Sequence, residues 1–364
     1  MVETVAEPSI AALLDDVVAL AETPAPTFAE GERLGWLEAR LAEAPGRLAR
    51  DRAGNLIWSW GEGRPRLAVA AHVDTVFPAG TDLTVRRDGE DLVGPGVGDN
   101  AAAVVVAVHV TEAFLAEAGE QAAPGAIAFT VAEEGLGNLA GAREAVRGLA
   151  PEAFVALEGQ MLDEVVVDAV GSVRARVTVT GPGGHSWSDR GAASAIDGLL
   201  ELAARLRALS APEAPVNIGT IAGGRAVNAI SDRAELVVER RALSQAPLEE
   251  FATGLETLSL PAPLAVEVEI LGRRPAGRLD RESPLLAAVL AVRSRLGLEP
   301  RLGEGSTDAN AALAAGVPAL CIGCSRGAQM HSLQERIDAS TLALGAAQLD
   351  GVLRYFLLPG KSEI

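Results

Sequence analysis

The stretch RLAVAAHVD, residues 66–74, is a short apolar run that ends in His72 and Asp74. The same pattern recurs along the chain. AIAFTVAEE at 126–134 closes on Glu133 and Glu134, and AFVALEG at 153–159 closes on Glu158. A fourth apolar run at 317–322 is followed, after a short loop, by His331. Between these runs the apolar residues repeat at helical spacing, at 9–21 and at 29–44 through Leu34, Leu37 and Leu41. Asp99 or Asn100 can cap a helix running to 118, and a further helix is expected near 139, with Glu134 as a possible cap. Short apolar strands separated by helices predict an α/β fold, a mainly parallel sheet with helices on both faces.

The pattern changes near Gly171. SVRARVTVTG at 172–181 alternates apolar and polar residues, as a half-exposed strand does. A helix at about 192–209 follows, then strands around 216–221 and 234–240, a helix from 247 and a strand at 264–270. Two helices on one face of a four-stranded antiparallel sheet is the natural packing for such a segment. From Ser283 the buried style resumes, with a helix at 283–296, the strand at 317–322 and a terminal helix at 338–358. The chain therefore divides into a discontinuous α/β domain, residues 1–170 and 276–364, and an inserted α+β domain, residues 171–275.

The chain has 364 residues and a mass of 37.4 kDa, and 49% of it is hydrophobic, enough for two domains with real cores. Its 49 acidic and 31 basic residues give a net charge of −18, which argues against a nucleic-acid or anionic-membrane partner. Lys361 is the only lysine, so a buried Schiff-base lysine is excluded, and the GKS at 360–362 lacks the first Gly of a phosphate loop because Tyr355 stands there. The first 22 residues hold five acids and no basic residue, unlike an export signal, and AAAVVVAV at 101–108 is too short to span a bilayer. With two cysteines, a cytoplasmic protein without structural disulfides is expected.

In a parallel α/β sheet the ligand crevice lies outside the carboxyl ends of the strands. His72, Asp74, Asp99, Glu133, Glu134, Glu158 and His331 all follow such ends or the Gly-rich GPGVG before Asp99. Two His and three carboxylates, one bridging, can hold two divalent ions roughly 3.5–4 Å apart. Asp74, two residues past His72, can accept its ring N–H and fix the tautomer. Of the adjacent Glu133 and Glu134, one can bind metal while the other takes a proton from water and returns it to a leaving amine. Any one acid at a strand end is more commonly a cap or a solvated residue; the set of them, with two of only four His, is what points to chemistry. His109, inside the helix to 118 with no acid in register, reads as structural.

AAHVDTVFP, GPGVGDNAA, AEEGLGN, LEG and HSLQE resemble the five metal motifs of the co-catalytic zinc peptidases and deacylases. That family includes peptidase T, glutamate carboxypeptidase, acetylornithine deacetylase and succinyl-diaminopimelate desuccinylase. The resemblance implies that His72 and Glu158 bind one Zn²⁺, Glu134 and His331 the other, and that Asp99 bridges them, with Co²⁺ or Mn²⁺ possible substitutes. It makes Glu133 the general base on a metal-bridged water and Asp74 the orienter of His72. It implies a homodimer built through the insert. GPGGHSW at 181–187 is similar to the turn whose His reaches the partner's active site, so His185 would polarise the scissile carbonyl or bind its oxyanion. VNAIS at 227–231 makes Asn228 a substrate contact. AELVVERR at 234–241 makes Arg241 a binder of the substrate carboxylate, although Glu239 replaces the family's Asp and Arg240 its apolar residue. GEGSTDAN at 303–310 is most similar to the peptidase T branch. The expected activity is hydrolysis of a peptide or N-acyl amide bond in a small substrate, a di- or tripeptide or an N-acyl amino acid.

Three other matches point elsewhere. GCSRG at 323–327 fits a nucleophile elbow at Ser325, but that fold needs an acid and then a His downstream, and no acid lies between it and His331. GLGNLA at 135–140, with Glu158 further on, approaches a dinucleotide fingerprint and would make the chain an NAD-binding oxidoreductase. Glu133 and Glu134 would repel the pyrophosphate there, and His72, Asp99 and His331 would have no task. Cys321 and Cys324 form one C-x-x-C without the second pair a zinc ribbon needs, and read as buried structural thiols.

Overall fold

The structure is a computed structural model and describes residues 7–359. The whole GKS triplet, Lys361 included, and the first six residues of the N-terminal segment lie outside the described residues. The chain forms two compact units, one running to Ala169 and resuming at Arg278, the other spanning Val170–Gly277. The sequence reading sets these boundaries at 170/171 and 275/276.

In the first unit, four parallel strands form the centre of a sheet in the order Gly125–Thr130, Leu67–His72, Phe154–Glu158, Ala319–Gly323. Each is buried on both faces, and the side chains alternate between two cores. Val69, Ala71, Val155, Leu157, Leu320 and Ile322 face the helices Ala103–Ala118 and Leu342–Leu357. Ala68, Ala70, Ala156, Ala319 and Cys321 face Ala145, Val146 and Ala312 from the helices Ala140–Leu149 and Ala309–Ala314. Full burial of one such Val or Leu side chain contributes ~1.5–3 kcal/mol. The register aligns His72 with Thr130 and Glu158 with Gly323, so the polar residues that follow gather at one edge.

Antiparallel strands flank this centre. Arg47–Arg50 and Leu56–Trp60 form a hairpin beside Gly125–Thr130, and Val165–Ala169 runs antiparallel to Ala319–Gly323. A separate four-stranded antiparallel sheet joins Arg326–Ala328, Arg336–Asp338, Asp91–Val93 and Arg86–Asp88. It ties the loop bearing His331 to the segment that leads into Asp99. Sequence periodicity does not reveal this small sheet, because strands such as RRD and RID are too short and too charged to show a period.

Two helix boundaries differ from expectation. The helix expected from Asp99 begins at Ala103; Val97–Ala102 is a buried, irregular turn in which Asp99 and Asn100 have non-helical dihedrals and make no capping bond. The terminal helix begins at Leu342 rather than 338, because Asp338 ends a strand and caps the Ser340 amide at 3.0 Å. The wound stretch Val97–Gln121 is 25 residues and contains an 18-residue window with a mean hydropathy of 1.6, long and apolar enough to cross a membrane, which the run AAAVVVAV alone understates. Its most apolar window is 72% buried, packed in the core between sheet and helices.

The second unit has a four-stranded antiparallel sheet in the order Val216–Gly223, Arg233–Ala242, Gly171–Thr180, Ala265–Arg274. Val173, Ala175, Val177, Val179, Leu236 and Val238 face Leu199, Leu202 and Leu206 of the helix Ala195–Arg207 and Leu248, Phe251 and Leu255 of the helix Gln245–Glu256. Ser194 caps the first helix by accepting the Asp197 amide. The strict alternation along Arg233–Ala242, buried every second residue, is what made this sheet legible.

Candidate metal centre

His72 and Glu158 are the last residues of adjacent parallel strands, and Glu133 and Glu134 follow the next strand after a short extension through Ala132. Asp99 sits on the irregular turn, and its two carboxylate oxygens face different imidazoles. Oδ1 lies 2.9 Å from His72 Nε2 and Oδ2 lies 2.9 Å from His331 Nε2. Glu158 Oε2 is 3.5 Å from His72 Nε2, and Glu134 Oε1 is 3.0 Å from His331 Nε2. Two donor sets therefore share one carboxylate. The ligand atoms of His72, Asp99 and Glu134 fall within 4.8 Å of one another, so the two sets form one cluster. All are buried except His331, whose side chain is 49% exposed and marks the open side.

The protonation pattern follows from this crowding. Burial opposes a charge on His72, but Glu158, Asp74 and Asp99 outweigh it and raise its pKa well above the usual value. Hydrogen bonds to Asp99 and Glu134 raise His331 to about 10. Asp99 is held well below the usual carboxylate range: burial opposes this, but His331 and His72 override it. Burial pushes Glu158 up to about 7. Three carboxylates crowded around two imidazoles leave a surplus of negative charge that divalent ions would offset. Two imidazole nitrogens and three carboxylates suit zinc and its first-row neighbours.

Buried polar side chains from other segments hold the ligand-bearing loops. His72 Nδ1 donates to the Asp74 carbonyl at 3.1 Å, with the Asp74 carboxylate further off at 3.5 Å. Both the carbonyl and the carboxylate of Asp74 therefore face this ring nitrogen, the carbonyl the nearer. The carboxylate has nearer donors to satisfy: the amides of Glu133 and Glu134 at 3.0 and 2.9 Å and the Thr27 hydroxyl at 2.9 Å. Asn100 brackets Glu158, donating to the Leu157 carbonyl at 3.0 Å and accepting the Gly159 amide at 2.7 Å. Glu335, fully buried, accepts the amides of Gly96, Gly98 and Asp99 at 3.2, 2.8 and 2.6 Å. Arg33, also fully buried, donates to the carbonyls of Ala21, Thr23 and Val73 behind the cluster; burial lowers its pKa to about 10, so it stays a cation at neutral pH. Outer partners of this kind set metal affinity. Glu335→Ala is expected to weaken metal binding roughly 10–100-fold in a chelator competition; an unchanged affinity would remove Glu335 from the support of the site.

Residues 68–355 match Peptidase family M20/M25/M40. The chain belongs to this family. It is thereby a hydrolase, and the dinucleotide reading of GLGNLA falls. A curated relative, a Pyrobaculum aerophilum protein named as a LysW-lysine/LysW-ornithine hydrolase, is 26% identical over 93% of this chain and 94% of its own. Among solved structures, a Staphylococcus aureus tripeptidase superposes with a TM-score of 0.78 at 20% identity, covering 95% of this chain and 98% of its own. A Bacillus subtilis protein described as a dinuclear metal-binding peptidase of the M20 family superposes with a TM-score of 0.65 at 17% identity, covering 96% and 98%. The two structures share the fold of this M20 chain.

The remaining candidates of this family member lie in the second unit. His185 and Asn228 come together: the two-residue strand Gly184–His185 pairs with Ala229–Ile230, and the Ser186 amide donates to the Asn228 carbonyl at 3.0 Å. Arg241 pairs with Glu239 at 3.2 Å, while Arg240 turns into the unit to reach the carbonyls of Ala214 and Pro247. The other motifs resolve as structure. Ser325 is fully buried and donates to the Gly159 carbonyl, so it is no exposed elbow. In GLGNLA, Asn138 and Leu139 take left-handed conformations, and the helix starts only at Ala140 with no side-chain cap, Glu134 included. Cys321 and Cys324 are buried free thiols whose pKa burial raises. His109 does have an acidic partner, Asp16 of the first helix at 2.7 Å, and is structural in that way.

Proposed function

We propose that this protein is a two-metal amidohydrolase that cleaves a peptide or N-acyl amide bond in a small substrate, with di- and tripeptides favoured. The observation that carries the reading is the division of Asp99 between two imidazoles, each with its own second carboxylate. In this reading His72, Glu158 and Asp99 hold one zinc ion, and His331, Glu134 and Asp99 the other. The ions supply Lewis acidity toward the scissile carbonyl and lower the pKa of water. Glu133 is the general base: it removes a proton from the attacking water and delivers it to the departing nitrogen. Asp74 keeps Glu133 in position through its amide.

His185 is the proposed oxyanion donor. Its Nδ1 accepts the amides of Trp187 and Ser188 at 3.2 and 3.3 Å, so the ring proton available to a substrate is on Nε2. Asn228 and Arg241 are the proposed substrate contacts. We also propose a homodimer through the inserted domain, in a reducing cytoplasm that suits two unpaired thiols. Supporting the dimer, Val216–Gly223 is an exposed edge strand that pairs on one side with Arg233–Ala242.

The test combines metal analysis with substrate profiling. Protein purified without chelator is expected to carry about two divalent ions per chain and to hydrolyse members of a panel of di- and tripeptides and N-acetyl and N-succinyl amino acids. His185→Ala is expected to keep the ions and to regain activity when mixed, under subunit exchange, with inactive Glu133→Gln chains. Hydrolysis unaffected by full removal of the ions would overturn the proposal, and failure to complement despite exchange would overturn the role of His185 across subunits.

A further inference from the structure

Among the described residues of the larger unit, six large apolar side chains are exposed; four of them lie close to residues of the site along the chain, and a fifth is linked to it by hydrogen bonds of its neighbours. Val76 is two residues past Asp74, Leu136 two past Glu134, Met330 directly before His331 and Leu333 two after it. The fifth, Phe28, is 69% exposed. Its neighbour Thr27 donates to Asp74 at 2.9 Å, and its own amide donates to Glu30 Oε1 at 2.9 Å, the same oxygen that accepts the Ala132 amide at 3.0 Å. Phe28 is thus anchored to the segment that carries Glu133.

Its backbone is unusual. Phe28 has φ of 74°, a left-handed conformation that a bulky L residue rarely adopts. Such a conformation persists where the surroundings impose it, and its clustering at binding sites is general. Here the bonds of Thr27 and Glu30 impose it, and the outcome is an aromatic ring held in solvent instead of in the core. Single exposed apolar residues are ordinary, but their concentration around one polar centre marks a ligand surface.

Charge on the same segments is already engaged. Residues 27–30, 74–78, 133–138 and 329–335 contain no Lys or Arg to meet an anionic side chain. Their acids offer little to a cationic one: Glu30, Asp74 and Glu335 accept backbone amides, Glu134 bonds His331, and Glu133 is the proposed base. In the smaller unit two of the five exposed large apolar side chains among the described residues neighbour candidate residues, while Leu200, Leu209 and Ile221 lie elsewhere along the chain. Trp187, two residues past His185, is 73% exposed with the Arg190 guanidinium 5.3 Å from its ring, and Val227, fully exposed, precedes Asn228.

We propose that the substrate presents an uncharged apolar side chain to this rim, of leucine, methionine or phenylalanine type, and that Phe28 is its main specificity determinant. The assignment rests on the amidohydrolase reading above. It is tested with metal-loaded protein on matched Xaa-Ala, Ala-Xaa and N-acetyl-Xaa series, Xaa being Leu, Phe, Met, Gly, Lys or Asp. In at least one series the apolar members are expected to exceed Gly, Lys and Asp in kcat/KM by roughly tenfold or more. Phe28→Gly, which accepts the left-handed backbone without cost, is expected to collapse the ratio of Leu to Gly substrates mainly through KM, and Phe28→Met to restore most of it. A preference for Lys or Asp, or an unchanged ratio in Phe28→Gly, would overturn the assignment while leaving the hydrolase reading intact. No hydrolysis anywhere in the panel with both ions bound would overturn the proposed amidohydrolase activity on small substrates, and the assignment with it.

Discussion

Glu133→Gln is expected to lower kcat by roughly 10²–10⁴-fold while leaving both ions in place. Gln keeps the length and shape of Glu but cannot accept the proton that the attacking water must lose. The replacement should not disturb the local chain, because the Glu133 amide, not its side chain, is what Asp74 holds at 3.0 Å. The neighbouring Glu134 bonds His331 at 3.0 Å, so in the proposed reading it is committed to the second ion and leaves the base to Glu133. The two carboxylates are on neighbouring residues just past the strand Gly125–Thr130, so one can serve the metal and the other the proton. The measurement is kcat at saturating substrate with elemental analysis of the same preparation. Metal and activity lost in parallel would make Glu133 a ligand and leave the base unassigned.

The strand ends were legible because a buried parallel strand tolerates no polar residue except where it terminates. His72, Glu158 and the Glu133–Glu134 pair therefore stand out by contrast with LAVAA, FVAL and AIAFTVA, and the sheet register brings them to one edge. Asp99 was legible as chemistry but misread as a cap: sequence places a short polar residue before a helix, while structure spends its carboxylate on two imidazoles. Glu335, Asn100, Glu30 and Arg33 were not legible as supports. Each acts on backbone groups of a segment distant in sequence, such as Asn100 on Leu157 and Gly159, and a backbone amide has no residue-type signature. Composition shows a buried Arg33 no differently from a solvated one; only its three carbonyl partners distinguish it. The small sheet that delivers His331 escaped for a related reason, since three-residue strands of Arg and Asp are defined by partners and not by periodicity.

Asp99→Ala is expected to empty the site and reduce kcat/KM by roughly 10³-fold or more, because it removes a ligand from both ions at once. What remains is one imidazole and one carboxylate in each set, His72 with Glu158 and His331 with Glu134, too few to hold a cation against water and chelators. Asp99→Asn separates bridging from simple ligation. Asn offers one carbonyl oxygen, and its amide nitrogen cannot ligate, so it can serve one ion but not two. The Asn variant is therefore expected to retain about one ion per chain where the native protein retains about two, and the Ala variant fewer still. Loss of other residues of the cluster should be milder in metal content, since His331→Ala or Glu158→Gln removes a ligand from one set only. The ordering can be read by elemental analysis after dialysis against a weak chelator, with thermal unfolding of the metal-free proteins recorded alongside to separate metal loss from unfolding. Two ions retained in both Asp99 variants would mean that the carboxylate lies between His72 and His331 without bridging the ions they bind.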